Sequence, residues 1–335
     1  MPRRKLAPIV ESEEQRPRAL ITGVAGQDGS YLAELLVEKG YEVHGTVRGD
    51  SDAQHPRLST VRDVIQIDRT PLDDPAAVDE LISRVAPDEI YNLAAPSVVG
   101  ASWNDPLWTV GFMTRNVTAI LEAIVRLGPE TRLVQATSSE IFRGSTDSPQ
   151  NEQTCPAPQS PYGSGKLFGH SLVGAYRAHH GVHASSAILY NHESPRRPAD
   201  FVTRKIVQAA VQIKRGAATE LVLGDLSARR DWGYAADYVE AMHLMTQQPA
   251  GDDYVLATGR LHSVEELAQA AFGHLGLDHR EYVRSDPSLM RAEDETVLVG
   301  DSSKAREQLG WTASTGFGQL IQTMVDAELA LTIGT

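Results

Sequence analysis

The chain has 335 residues, 41% hydrophobic and 22% charged, with a formal net charge of −13 at pH 7. That length suits one large α/β unit or two tightly joined lobes around a sizeable core, and the acidic balance argues against nucleic acid or an anionic membrane as partner. No run of about 18 uncharged apolar residues offers a membrane span, and one cysteine, Cys155, excludes an intrachain disulfide or a multi-cysteine metal site and points to the cytoplasm.

Residues 1–16 lack the apolar stretch of a signal peptide and read as a disordered tail. Short β-rich runs follow at Ala19–Val24, Tyr41–Arg48, Asp63–Asp68, Glu89–Ala94, Arg132–Ser138 and His183–Tyr190. Between them, 31–39 and 117–127 carry apolar residues at helical spacing, with Gly40 and Gly128 as stops. This alternation predicts an α/β fold with a Rossmann-type, doubly wound parallel sheet. Beyond residue 190 the pattern turns irregular, and proline, arginine and acidic residues cluster. The expected division is a Rossmann domain over 17–190 plus about 229–258. A smaller discontinuous α/β substrate-binding lobe takes about 191–228 and 259–335.

Gly23, Gly26 and Gly29 form a Gly-x-x-Gly-x-x-Gly turn directly after the first strand. Glycine allows a tight turn and close approach to a pyrophosphate, which the following helix N-terminus attracts. An acidic residue at the end of the second strand would bind a ribose 2′-hydroxyl, whereas arginine suits a 2′-phosphate. Arg48 stands there and favours NADP, with NAD as the alternative. Asp68, ending the third strand, is placed near the adenine or serves as a strand-terminal cap.

At the chemistry end, Gln135-Ala-Thr-Ser-Ser-Glu140 closes the fifth strand and precedes Tyr162 and Lys166. Residues i and i+4 share a helix face, so the phenol and the ammonium can share one pocket. A free phenol titrates near about 10, and a neighbouring cation is expected to bring it down. Ser138, Glu140 and Tyr162 are expected to converge on one substrate with Lys166 behind them. Glu140, able to take a carbon-bound proton, distinguishes a lyase from a plain dehydrogenase. The eleven histidines show no ligand-spaced cluster, so no metal is expected.

The chain resembles the extended short-chain dehydrogenase/reductase family, most closely its GDP-mannose 4,6-dehydratase members. The resemblance rests on 21–36 (including Gly26-Gln27-Asp28-Gly29), Tyr91-Asn-Leu93-Ala-Ala95, Ser138-Ser-Glu140, Ser160-Pro-Tyr162, Asn191-His-Glu193-Ser-Pro-Arg-Arg197, Phe201-Val-Thr-Arg-Lys205 and Arg230-Asp-Trp-Gly233. It spans roughly 18–311, with Gly300-Asp301 and Leu309-Gly-Trp311 matching the smaller lobe.

The resemblance implies a redox-neutral dehydration of a GDP-activated sugar by a homodimer or homotetramer. Tyr162 takes the C4 hydroxyl proton while the cofactor accepts the C4 hydride; Glu140 removes the C5 proton, water leaves C6, and the hydride returns to C6. Ser138 holds the C4 hydroxyl, and Lys166 binds the nicotinamide ribose. By the same resemblance Gln27, Asp28, Leu93 and Ala95 join the cofactor site. Ser97, Asn191, Glu193, Lys205, Arg230, Arg291 and Asp294 are placed around the substrate. Departures gather on the sugar side: Pro96 and Val98 replace a glutamine and a histidine, Ser138 a threonine, Tyr234 a histidine and Asp294 a glutamate. Gly49 stands where the family has a second arginine. A GDP-sugar epimerase using the same transient C4 oxidation is the alternative.

Overall fold

The computed structural model describes residues 16–49, 54–127, 130–289 and 297–331. Its large sheet is built from β1 (Arg18–Thr22), β2 (Glu42–Thr46), β3 (Gln66–Asp68), β4 (Glu89–Asn92), β5 (Arg132–Ala136), β6 (Ala184–Leu189) and, from far along the chain, β10 (Asp253–Leu256). The order is β3-β2-β1-β4-β5-β6-β10, and every pairing is parallel. Because helices cover both faces, the strands are near-continuous apolar runs; Ala19, Leu20 and Ile21 are all buried.

Helices α1 (Gln27–Glu38) and α6 (Ala235–Thr246) cover one face, joining Leu32, Leu36, Val239 and Met242 to Ile21, Val134 and Leu189. On the other face α2 (Pro75–Val85), α3 (Pro106–Leu127) and α4 (Pro161–His180) bury Leu81, Ile82, Ile120, Ile124 and Val173. Each such side chain contributes about 1.5–3 kcal/mol. Ala305, Leu309 and Trp311 also pack into the first of these cores, and the Trp311 indole donates to the Asp237 carbonyl at 2.8 Å.

A second core lies between α5 (Val202–Lys214), α7 (Val264–His274) and α9 (Phe317–Leu331), where Ile206, Leu267, Phe272, Leu320 and Met324 meet. The short helix α8 (His279–Tyr282) leads into β12 (Val283–Ser285), which pairs with β8 (Leu221–Leu223). A three-stranded sheet links the two cores. Its central strand β9 (Arg229–Tyr234) runs parallel to β7 (Asn191–Glu193) and antiparallel to β11 (Leu261–Ser263). Asp231 ties this sheet down, accepting from the backbone N–H of Thr258 and Gly259 at 2.9 Å and of Gly300 at 3.3 Å.

Two helices begin earlier than apolar spacing predicts. α3 starts eleven residues before Val117, because Asp105 accepts from the Trp108 N–H at 2.9 Å and Pro106 opens the first turn. α1 starts at Gln27, since its polar, glycine-containing first turn carries no apolar signal. Strand β3 is shorter than expected because 61–65 fold into turns.

Candidate active site

The strand order reverses between β1 and β4, so a crevice opens at their carboxyl ends, where ligands collect in such sheets. A buried polar network fixes those ends. Thr22 Oγ1 donates to Asn92 Oδ1 at 2.7 Å and accepts from the N–H of Leu93 and Ala94 at 3.0 Å. Asn92 Nδ2 donates to Asn116 and Gln135 at 2.7 Å. Leu93 and Ala95 are thereby held, half-buried, at the edge of the crevice.

The glycine turn lies directly above. Gly23 has φ +71°, and a Cβ on Gly29 would stand 2.5 Å from the Gly23 carbonyl oxygen. Gly26, which has no side chain, is the N-cap of α1, so the cap itself leaves the first-turn amides open to an anion. Replacing Gly29 by Ala is expected to weaken nicotinamide dinucleotide binding at least roughly tenfold, equivalent to 1.4 kcal/mol; titration calorimetry with NAD⁺ and with NADP⁺ checks this.

Gln27 and Asp28 turn toward the motif after β6. Gln27 Nε2 donates to the His192 carbonyl at 3.1 Å, and Ser194 Oγ donates to Gln27 Oε1 at 2.8 Å. His192 donates through Nδ1 to the Tyr190 carbonyl at 2.7 Å and through Nε2 to Asp28 at 3.0 Å. Burial disfavours both charges, but their attraction prevails, holding Asp28 below and His192 above its ordinary pKa. Arg57, which sequence reading missed, donates to the Ala25 carbonyl at 3.2 Å and adds a half-buried cation beside the turn. Arg48 is exposed just past β2, and Asp68 is paired with Arg84 at 2.5 Å.

At the end of β5, Ser138 caps a short 3₁₀ turn, Ser139–Phe142, through the Glu140 N–H. α4 begins beside it, with Ser160 accepting from the Gly163 N–H at 3.0 Å and Pro161 in the first turn. Gly163 lets the helix approach: a Cβ there would lie 2.9 Å from the Glu140 carbonyl oxygen. Tyr162 N–H donates to Ser102 Oγ at 3.3 Å, docking the loop that carries Pro96, Ser97 and Val98 onto α4. Ser97 and Val98 are exposed.

Tyr162 and Lys166 lie close together on α4; the ammonium is 5.7 Å from the ring centroid and donates to the Ala136 carbonyl at 2.8 Å. The phenol does not shift downward as expected. Burial pushes it up to about 12; the Ser138 hydroxyl opposes this, and the Glu140 charge adds to it. Burial also pulls Lys166 down to about 8 while Asp28 supports its charge. Both Glu140 oxygens are engaged by Arg143, through Nη2 to Oε1 and through Nε to Oε2 at 3.2 Å. Arg143 escaped the sequence reading; its signal was the i+3 spacing.

The expected substrate residues divide. Asn191 and Arg230 are half-buried on adjoining strands, with Asn191 in register with Trp232. Arg230 donates to the Arg229 carbonyl at 2.7 Å, and the exposed Lys205 donates to the Val222 carbonyl at 3.0 Å. Glu193 is almost fully buried, accepting from Thr203 Oγ1 at 2.5 Å and paired with Arg197 at 3.1 Å. Arg291 and Asp294 lie outside the described residues.

Comparison with known proteins gives consistent matches. A sequence profile described as GDP-mannose 4,6 dehydratase matches residues 20–324. GDP-mannose 4,6 dehydratase 2 of Arabidopsis thaliana is 44% identical, covering 97% of this chain and 91% of the relative. The GDP-mannose 4,6 dehydratase of Homo sapiens is 37% identical, covering 96% and 94%. Among solved structures, dTDP-glucose 4,6-dehydratase of Bacillus anthracis in complex with NAD superposes with a TM-score of 0.79. It shares 19% identity over 93% of this chain and 96% of that one.

Proposed function

Because this chain belongs to the GDP-mannose 4,6-dehydratase family, we propose that it removes water from a GDP-mannose-like sugar nucleotide without net oxidation. The observation that carries this reading is that the glycine turn after β1 and the Ser138–Glu140 turn after β5 open from the same carboxyl end of the sheet, where Tyr162 begins α4 and Lys166 donates to the Ala136 carbonyl. A plain dehydrogenase has no need of Glu140 beside the phenol.

The glycine N-cap of α1 and the close glycine packing fit a dinucleotide pyrophosphate. We assign Gly23, Gly26 and Gly29 to it, Leu93 and Ala95 to the crevice wall, Asp68 to the adenine edge and Arg48 to a 2′-phosphate, hence NADP over NAD. The bound nicotinamide supplies reversible acceptance of a hydride. Ser138 orients the C4 hydroxyl and Tyr162 takes its proton. With the phenol held at about 12, that transfer needs the Lys166 charge nearby, which is present below about pH 8. The resulting C4 ketone acidifies C5–H, and Glu140 takes that proton as hydroxide leaves C6. Asn191, Lys205 and Arg230 are assigned to the nucleotide diphosphate, which arginine forks bind bidentately. Ser97 and Glu193 belong to the sugar side, Glu193 through its hold on Arg197. Arg291 and Asp294 are assigned on family pattern alone. The assay is mass spectrometry of GDP-mannose incubated with the protein and NADP⁺. Loss of one water with no net cofactor reduction supports the reading, and an unchanged mass contradicts it.

We also assign the homo-oligomer to the surface formed by the Gly100–Trp103 turn and the adjoining N-terminal turns of α3 and α4. Leu107 is 88% and Trp103 64% exposed there, beside a cavity of about 740 Å³ also lined by Val110 and Pro161. Apolar patches of this kind mark interfaces. Substituting Leu107 by Glu is expected to yield monomers by light scattering; an unchanged mass would place the contact elsewhere. The single, exposed Cys155 suits the reducing cytoplasm.

A further inference from the structure

The pair between Glu140 and Arg143 has a direct bearing on the chemistry. Both side chains are nearly buried, at 14% and 12% exposure, and they are fixed three residues apart on one 3₁₀ turn. The turn itself cannot drift. Gly144 N–H donates to the Ala157 carbonyl at 2.7 Å, Ala157 N–H returns a bond to the Ile141 carbonyl at 2.7 Å, and α4 packs on the Glu140 carbonyl through Gly163. A side-on guanidinium fork sets the plane as well as the position of a carboxylate. Each oxygen retains a further lone pair for the substrate.

We propose that Arg143 is the positioning residue of the C5 proton step. This rests on Glu140 being the base of the dehydration. In that step the C5–H bond breaks, its proton passes to a Glu140 oxygen and its electron pair forms the C5–C6 double bond. The C6–O bond breaks, and the departing hydroxide receives the proton from Glu140 and leaves as water. While Glu140 holds the proton, the nearly buried Arg143 has lost its counter-charge, an unfavourable state in a poorly solvated site. Arg143 therefore both aims the carboxylate and favours rapid release of the proton to the leaving group, restoring the ion pair.

The test compares Arg143→Met and Arg143→Lys with the wild type, each carrying NADP⁺ and turning over GDP-mannose. For Arg143→Met, kcat is expected to fall roughly tenfold to a hundredfold, the range a slightly misplaced catalytic group produces, with KM nearly unchanged. Reduced cofactor accumulates transiently in single turnover, because oxidation at C4 precedes the slowed step. Arg143→Lys, keeping the charge without the fork, recovers part of the rate. In the Glu140→Gln background, Arg143→Met has no further effect on rate. Wild-type kcat in Arg143→Met, a faster variant, or equal loss of the C4 oxidation overturns the proposal, as does an additive effect in the double variant. A wild-type protein that yields no dehydrated product instead refutes the dehydratase reading and takes this proposal with it.

Discussion

Glu140→Gln is expected to retain GDP-sugar and cofactor binding but to lose elimination, with kcat reduced by about 10²–10⁴-fold, the usual contribution of a positioned base. The carboxylate stands at the end of β5, beside the phenol whose ionisation it opposes. An amide fills the same volume but cannot take the C5 proton, and its carbonyl accepts from only one arm of the Arg143 fork. The other arm then faces an NH₂ group in a nearly buried setting. Stability is therefore expected to fall by about 1–3 kcal/mol. Single-turnover absorbance separates the two steps: C4 oxidation proceeds and the reduced cofactor persists. Water release at the wild-type rate would remove Glu140 from the base role, whatever the melting temperature shows.

The second large effect divides activity from stability. Lys166→Met is expected to be essentially inactive yet more stable than the wild type at pH 7. Burial lowers the ammonium from an ordinary 10.5 to about 8, so keeping it charged in the folded state costs on the order of 3 kcal/mol. Removing it also removes a bond to the Ala136 carbonyl, worth about 1 kcal/mol, although that carbonyl keeps Gln135 Nε2 at 3.1 Å. The sign follows from proton counts. Below about pH 8 lysine is protonated in both states and the whole penalty applies. Between about 8 and 10.5 the unfolded chain binds more protons than the folded one, so wild-type stability rises with pH and the advantage of the variant shrinks. Thermal melts of both proteins across this range check the convergence. A variant less stable than wild type at pH 7 would mean that the ammonium contributes more than its desolvation costs.

The large sheet was legible because parallel strands covered on both faces are near-continuous apolar runs; Ala19-Leu-Ile21 and Ala187-Ile-Leu189 show this. The connecting strands β7, β8, β11 and β12 were not, each being three residues long with no room for a pattern. Tyr162, Lys166 and Ser138-Ser-Glu140 were singled out by spacing and motif, and the structure brings them to the same carboxyl end of the sheet. The direction of the Tyr162 shift was not found, because burial is set by β5, α4 and the loop through Ser102, which no local pattern encodes. Likewise Asp28 and His192 are 164 residues apart and meet only when β7 returns to the glycine turn. Arg143 had a local signal, but an i+3 pair is informative only once a 3₁₀ turn is known to hold it.

The central claim is that one site oxidises C4, eliminates water across C5 and C6, and reduces C6 of the same sugar. Its most direct test is GDP-mannose deuterated at C4, turned over by the wild-type protein and read by nuclear magnetic resonance. Deuterium found at C6 of a product that has lost one water is the predicted result. Deuterium returned to C4 of an undehydrated sugar, or lost from it, contradicts the account.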